Sequence, residues 1–218
     1  IDSFSTDSTV EIAEKHGARV ILRQFDDFMG QKNFGLDQAR FPLVLSLDAD
    51  ECPDETLRES IQKVKENPSL DGWRMNMLTN YCGTWIRHSG WYPDPKLRLF
   101  DTRKGRWAGK NPHEKFTFFN ENTPIGQLDG HLLHFSYPTV ESHLRKAEFY
   151  STIGAEYLVA SGRRVGWLAP WTHAAAKWFK EFVWLRGFLD GRAGWTIARI
   201  SAWATFLKYQ KARKMGIG

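Results

Sequence analysis

The apolar run from Phe41 to Leu47 passes without a break into Asp48-Ala49-Asp50-Glu51. A short apolar run of this kind, set between turn signals, reads as a buried strand. This one delivers a cluster of acids to its carboxyl end. Strand side chains alternate faces, so Asp48 and Asp50 are expected to point the same way while Ala49 points into the packing. In an open α/β sheet, ligands bind beyond the carboxyl ends of the strands. Two carboxylates on one face repel unless a cation or hydrogen-bond donors neutralise them. A hard divalent ion, Mg²⁺ or Mn²⁺, sharing its shell with substrate phosphates meets that need. The other reading is a solvated Asp-rich turn that caps the next helix.

The segments around that run alternate between strand and helix signals, which predicts βαβ units and a mainly parallel sheet flanked by helices, an α/β fold. Ser8 and Glu11 have the spacing of a capping box, and Gly17 can close the short helix they open. Ala18 to Leu22 reads as a short buried strand, Gln31 to Arg40 as a helix, and Pro53-Asp54 as the start of another that ends near Asn67-Pro68. After Gly72 come shorter strand-like pieces: Trp73 to Leu78, Leu97 to Phe100, Phe116 to Phe119 and Leu132 to Phe135. From Val140 onward helices dominate. The predicted division is therefore a catalytic α/β region over residues 1–139 and a helical region over 140–218.

Charge separates the same two parts. The chain carries a net +5. Residues 1–162 hold 19 basic against 23 acidic residues, and residues 163–218 hold 11 against 2. The tail also holds six of the ten tryptophans. Tryptophan interleaved with Lys and Arg on helical segments favours an anionic membrane surface, where indole rings sit at headgroup depth. A helix pair packing its tryptophans on the body is the plainer alternative. Nucleic acid is not an expected partner, because no helix-turn-helix, zinc-finger or RNA-recognition pattern is present. Trp178, Phe182, Leu185 and Leu189 have the spacing of one helical face. A second helix is expected from about Trp195 to Lys214. No run is long and apolar enough to predict a transmembrane helix. The two cysteines, Cys52 and Cys82, are too few for a disulfide framework and read as reduced thiols of a cytosolic protein.

Several short segments resemble glycosyltransferase family 2, whose fold is the GT-A type. They are Asp2-Ser3-Phe4-Ser5-Thr6-Asp7-Ser8-Thr9, Gln31-Lys32-Asn33 and Leu45-Ser46-Leu47-Asp48-Ala49-Asp50-Glu51, followed by Pro95-Lys96-Leu97-Arg98-Leu99-Phe100 and Pro112-His113-Glu114. Gly187-Phe188-Leu189-Asp190-Gly191 is similar to the C-terminal region of the lipopolysaccharide-core glucosyltransferase branch. The resemblance implies a GT-A-type catalytic domain, lacking at its N-terminus the family's first strand, helix and most of a second strand, with an amphipathic helical extension at the C-terminus. It implies a UDP-sugar donor, a lipid-linked saccharide acceptor, and a peripheral location on the cytoplasmic face of a bacterial plasma membrane. By the same resemblance Asp2 would contact the nucleotide, Asp48 would sit by the ribose and metal, and Asp50 would ligate the metal. Glu114 would be the general base that takes the proton of the attacking acceptor hydroxyl.

Residue chemistry adds further candidates. A carboxylate within reach of the acceptor is the group such a transfer needs, and Glu114 follows a loop containing Gly109 and Pro112. Lys32, Arg98 and Arg87 could pair with a diphosphate or with acceptor phosphates, or form ordinary ion pairs. His113 could orient Glu114 or contact the acceptor. His131 and His134 should point to opposite faces of a strand, so they are not expected to bind one metal jointly. Either alone could be a further ligand or phosphate contact. Trp85, Trp91 and Tyr92 could form a sugar-stacking loop or pack in the core. The competing functional readings are a metal-dependent nucleotidyltransferase and a membrane-surface module with a degenerate transferase body.

Overall fold

The computed structural model describes residues 1–109 and 114–216. The strands are β1 Leu43–Leu45, β2 Glu51–Pro53, β3 Gly72–Tyr81, β4 Thr84–Trp85, β5 Asp94–Asp101, β6 Gly105–Ala108, β7 Lys115–Phe118 and β8 Ile125–Tyr137. The helices are α1 Thr9–Lys15, α2 Phe28–Asp37, α3 Glu55–Glu66, α4 Val140–Ala160, α5 Ala169–Phe179 and α6 Gly191–Met215. Strands β1, β5, β3, β8 and β2 are hydrogen-bonded neighbours in that order, with β4 on β3 and a separate β6–β7 hairpin. The expected mixture of strands and flanking helices is present.

The sense of the strands differs from expectation. The ladders β1–β5, β2–β8, β3–β4 and β6–β7 are antiparallel. A parallel contact joins Asp2 to Leu22. Parallel pairing needs a crossover long enough to return the chain in the same direction. Helix α1 provides one between Asp2 and Leu22. Between β3 and β4 there are only Cys82 and Gly83, with φ of 49° and 87°, the doubly left-handed pair of a tight hairpin turn. Local capping differs too. Ser8 makes no side-chain cap on α1. Asp7 takes the Thr9 amide instead, at 3.0 Å.

By packing, the chain forms two compact units. One comprises residues 1–47, 59–75 and 96–129, and the other 48–58, 76–95 and 130–218. Each unit gathers stretches that are distant in sequence. In the first unit the core is Leu36, Phe100, Trp107, Phe116 and Phe118. Phe100 and Phe116 stack face to face at 3.6 Å between centroids. A Cβ on Gly72 would meet Phe118 at 2.6 Å, so β3 approaches this cluster as closely as a glycine permits.

The core of the second unit holds Tyr81, Ile86 and Ile197, with Trp91 and Tyr137 against them. His143 of α4 is buried here, its Nδ1 3.1 Å from the Tyr81 hydroxyl. Helix α6 packs on both α4 and α5. The face predicted to run from Trp178 to Leu189 is broken. Helix α5 ends at Phe179, a π turn covers Lys180–Trp184, Arg186 adopts φ 55°, and a 3-10 turn covers Gly187–Asp190. The wider turn and the left-handed residue throw the later side chains out of phase. Trp178 and Phe182 still stack at 5.2 Å, and Trp195 closes on both. Gly194 of α6 lies so close to the Gly187 carbonyl that no Cβ fits there.

Burial pushes the His143 imidazole down to about 4. Between that value and 6.5 the unfolded chain takes up a proton that the folded chain does not, so stability falls as pH drops through this range. Denaturant unfolding at pH 7 and pH 5 should show a loss of about 2 kcal/mol attributable to this group. His143→Gln should flatten it, and an unchanged pH slope in that variant would contradict the assignment.

Candidate functional site

In the first unit, the candidate base is held by a residue far away in sequence. The Lys32 ammonium lies 3.0 Å from Glu114 Oε1. Lys32 comes from the first turns of α2, and Glu114 immediately precedes β7. The Glu114 side chain is 8% exposed and that of Lys32 17%. The second carboxylate oxygen, Oε2, is buried with no hydrogen-bond partner among the described residues. Buried polar atoms are normally satisfied, so an unpartnered carboxylate oxygen calls for a functional account.

The wall beside this pair is Trp107. Its ring lies 4.6 Å from the Lys32 ammonium and 5.9 Å from the Arg98 guanidinium. Asn33 fixes the tryptophan's backbone from both sides. Its Oδ1 accepts the Trp107 amide at 3.0 Å and its Nδ2 donates to the Trp107 carbonyl at 2.9 Å. The Gln31-Lys32-Asn33 segment is thus used twice, for the ion pair and for the wall. The role of Asn33 was missed by sequence reasoning, because a side chain standing in for a strand partner has no local signature. Arg98 on β5 is buried at 7%, so it belongs to the wall and not to an exposed rim. His113 lies outside the described residues, as do the neighbouring Lys110, Asn111 and Pro112.

Asp2 is also in this unit. Its Oδ1 accepts the Ser5 amide at 2.9 Å and its Oδ2 the Ser5 hydroxyl at 2.6 Å. The hydroxyl foremost, then the amide, holds this carboxyl below the ordinary range. The strand-to-helix segment is therefore closed by its own first acid.

The second unit holds the acids after β1. They do not continue a strand. The Glu51 amide donates to the Asp48 carbonyl at 3.0 Å and closes a turn over 48–51, and the Asp48 amide donates to Glu51 Oε2. The expected alternation of Asp48 and Asp50 on one strand face therefore does not apply, and the turn sets their directions. The Phe135 amide donates to the Asp50 carbonyl at 2.9 Å, which ties this turn to β8. Asp50 Oδ2 then lies 3.3 Å from His134 Nε2. Asp50 is about half exposed and His134 about a fifth. An oxygen donor beside a nitrogen donor suits a divalent ion that completes its shell with phosphate and water. Among the described residues no group of three or more such side chains is gathered.

His131, three residues earlier on β8, is used differently. Its Nδ1 lies 2.9 Å from Asp54 Oδ2, and its Nε2 lies 3.1 Å from the Tyr92 hydroxyl. Asp54 also caps α3 by accepting the Leu57 amide at 2.8 Å. Burial works to raise the Asp54 carboxyl, but the Leu57 amide and the backbone and ring of His131 outweigh it and bring the group below its usual value. The separation of His131 and His134 into different roles follows the strand alternation. Of the loop aromatics, Trp91 packs in the core and Trp85 meets Phe135 edge-on at 5.4 Å.

Comparison with known proteins adds an independent line. The sequence profile described as "Glycosyl transferase family 2" matches residues 1–120. The chain is 28% identical to an uncharacterized glycosyltransferase of Rickettsia typhi, covering all of this chain and 77% of that protein. It is 29% identical to an uncharacterized glycosyltransferase of Rickettsia conorii, covering all of this chain and 80% of that protein. It is 27% identical to LpsC of Rhizobium meliloti, named as a lipopolysaccharide core biosynthesis glycosyltransferase, over 93% of this chain and 79% of that protein.

Proposed function

The chain belongs to glycosyltransferase family 2, and from that premise we propose that it moves a sugar from a UDP-sugar to a lipopolysaccharide inner-core or other lipid-linked saccharide, with inversion at the anomeric carbon. Glucose is the donor sugar favoured by resemblance. The core-saccharide acceptor is favoured by the similarity to LpsC. Family membership removes the reason to read the strand-end acids as those of a nucleotidyltransferase.

The observation that carries the reading is the Asp50–His134 pair at the turn after β1. Asp50 and His134 would hold Mg²⁺ or Mn²⁺, with Asp48 nearby in sequence on the ribose side. The ion, when bound, neutralises charge on the departing diphosphate. Glu114 takes the proton from the acceptor hydroxyl, a role supported by a carboxylate oxygen, Oε2, that no other described group engages and that acceptor binding would have to uncover. Lys32 holds the other oxygen and so keeps the carboxylate from turning away. Asp2 contacts the nucleotide, and Arg98 supports that side through the Trp107 wall.

The tail favours a membrane surface. No helix among the described residues is long and apolar enough to cross a membrane. Trp167, Trp171 and Trp184 are 71%, 64% and 76% exposed, although Trp178 and Trp195 pack on one another. Exposed indoles on a basic segment suit the interfacial region of an anionic leaflet, here the cytoplasmic face of the plasma membrane.

Calorimetric titration of UDP into the protein should show binding that requires Mn²⁺ and that Asp50→Ala abolishes. Equal UDP binding by that variant would remove Asp50 from the metal site. Replacing Trp167, Trp171 and Trp184 together by Ala should weaken sedimentation with phosphatidylglycerol vesicles by about tenfold or more and leave UDP binding unchanged. Unaltered sedimentation would reject the tail as the membrane contact.

A further inference from the structure

The loop between β4 and β5 is clamped by hydrogen bonds and close contacts from the C-terminal turns. Asp190 Oδ1 accepts the Arg87 amide at 3.1 Å, and Oδ2 accepts the His88 amide at 3.0 Å. The His88 ring adds a third contact, with Nδ1 2.9 Å from Oδ1. The Asp190 side chain is 5% exposed. The Ser89 amide donates to the Leu185 carbonyl at 3.0 Å. A Cβ on Gly90 would meet Leu185 at 2.7 Å, and one on Gly187 would meet Ser89 Oγ at 2.5 Å. The π turn and 3-10 turn that break the tail helix are therefore shaped to this loop.

What the clamp holds up is a cation. The Asp190 carboxylate is engaged by two backbone amides and an imidazole, so its charge is not spent on the Arg87 guanidinium. Arg87 is exposed, and no carboxylate lies within ion-pair distance of it among the described residues. Its guanidinium carbon lies 5.7 Å from the centre of the Tyr92 ring. That ring is itself anchored through its hydroxyl to His131, and through His131 to Asp54. A guanidinium set over a tethered ring, on a backbone held by hydrogen bonds, has less freedom left to lose on binding. Its fork of donors matches the paired oxygens of a phosphate or carboxylate.

We propose that Arg87 is the anion ligand of an acceptor subsite on this loop, recognising a phosphate or carboxylate borne by the saccharide, and that Asp190 is the residue that positions it. The proposal rests on the reading of the chain as a transferase to an anionic core saccharide. It gives the C-terminal turns a part in acceptor recognition in addition to any membrane contact.

The test uses the full chain and a deacylated lipopolysaccharide core oligosaccharide carrying phosphate, the same material dephosphorylated, and the same material with its carboxyl groups reduced. Binding is measured by calorimetry, with UDP and Mn²⁺ titrated into each preparation as a control. Arg87→Ala should weaken binding of the untreated oligosaccharide by about tenfold or more. Either dephosphorylation or carboxyl reduction should make the wild type bind as weakly as Arg87→Ala, and which of the two does so identifies the anion. Asp190→Asn should lose affinity in the same direction, with UDP binding kept, and the double variant should be no weaker than Arg87→Ala alone. Wild-type affinity in Arg87→Ala, or no binding of the oligosaccharide to the wild type, would overturn the subsite. Absent UDP binding in the wild type counts against the donor reading, whereas dependence on Arg87 decides the subsite by itself.

Discussion

A buried carboxylate must be held by something, and in the first compact unit the arrangement around Glu114 answers to that need. Taking an ionised carboxyl out of water costs several kcal/mol unless charge and hydrogen bonds offset it. The Lys32 ammonium offsets it at one oxygen. To reach that oxygen, α2 must sit against the β6–β7 hairpin, and Asn33 fixes the hairpin by bonding both backbone groups of Trp107. The aromatic core beneath it, with Phe100 stacked on Phe116, gives the hairpin a rigid floor. The second oxygen is buried without a hydrogen-bond partner among the described residues, and the proposed role of proton acceptor gives that oxygen a use.

The second unit uses carboxylates in a different way, as clamps on loops. Asp54 caps a helix and orients His131 with the same group. Asp190 takes two consecutive amides of a loop 102 and 103 residues away in sequence. Each is a charge used to fix backbone or ring direction, while the aromatic cluster around Tyr81 supplies the burial. The tail helices contribute by packing and by their irregular turns. The break at Lys180–Asp190 that spoils an ideal amphipathic face is what brings Asp190 to the loop.

Much of this architecture is legible in the sequence. The alternation of apolar runs with capped polar segments locates β1, α3, β3, β5 and β7 to within a few residues, and the onset of helices at Val140 matches the start of α4. Gly17, with φ 79°, closes α1 where expected. What could not be read depends on contacts between distant residues. Lys32 and Glu114 are 82 residues apart, and no local pattern announces their pairing. Strand alternation would put Asp48 and Asp50 on one face, but β1 stops at Leu45 and a turn hydrogen bond sets their directions. The tail face fails at Arg186, where a left-handed residue interrupts a spacing that counts only helical positions.

The account turns on Glu114 as proton acceptor, and single-turnover sugar transfer at saturating donor tests this most directly. Glu114→Gln keeps the shape and removes the basic oxygen. It should slow transfer by about 10²–10⁴-fold, the usual worth of a general base. Donor binding should change little. Transfer at the wild-type rate in this variant would mean that another group takes the proton and that the bare oxygen beside Lys32 is a structural feature only.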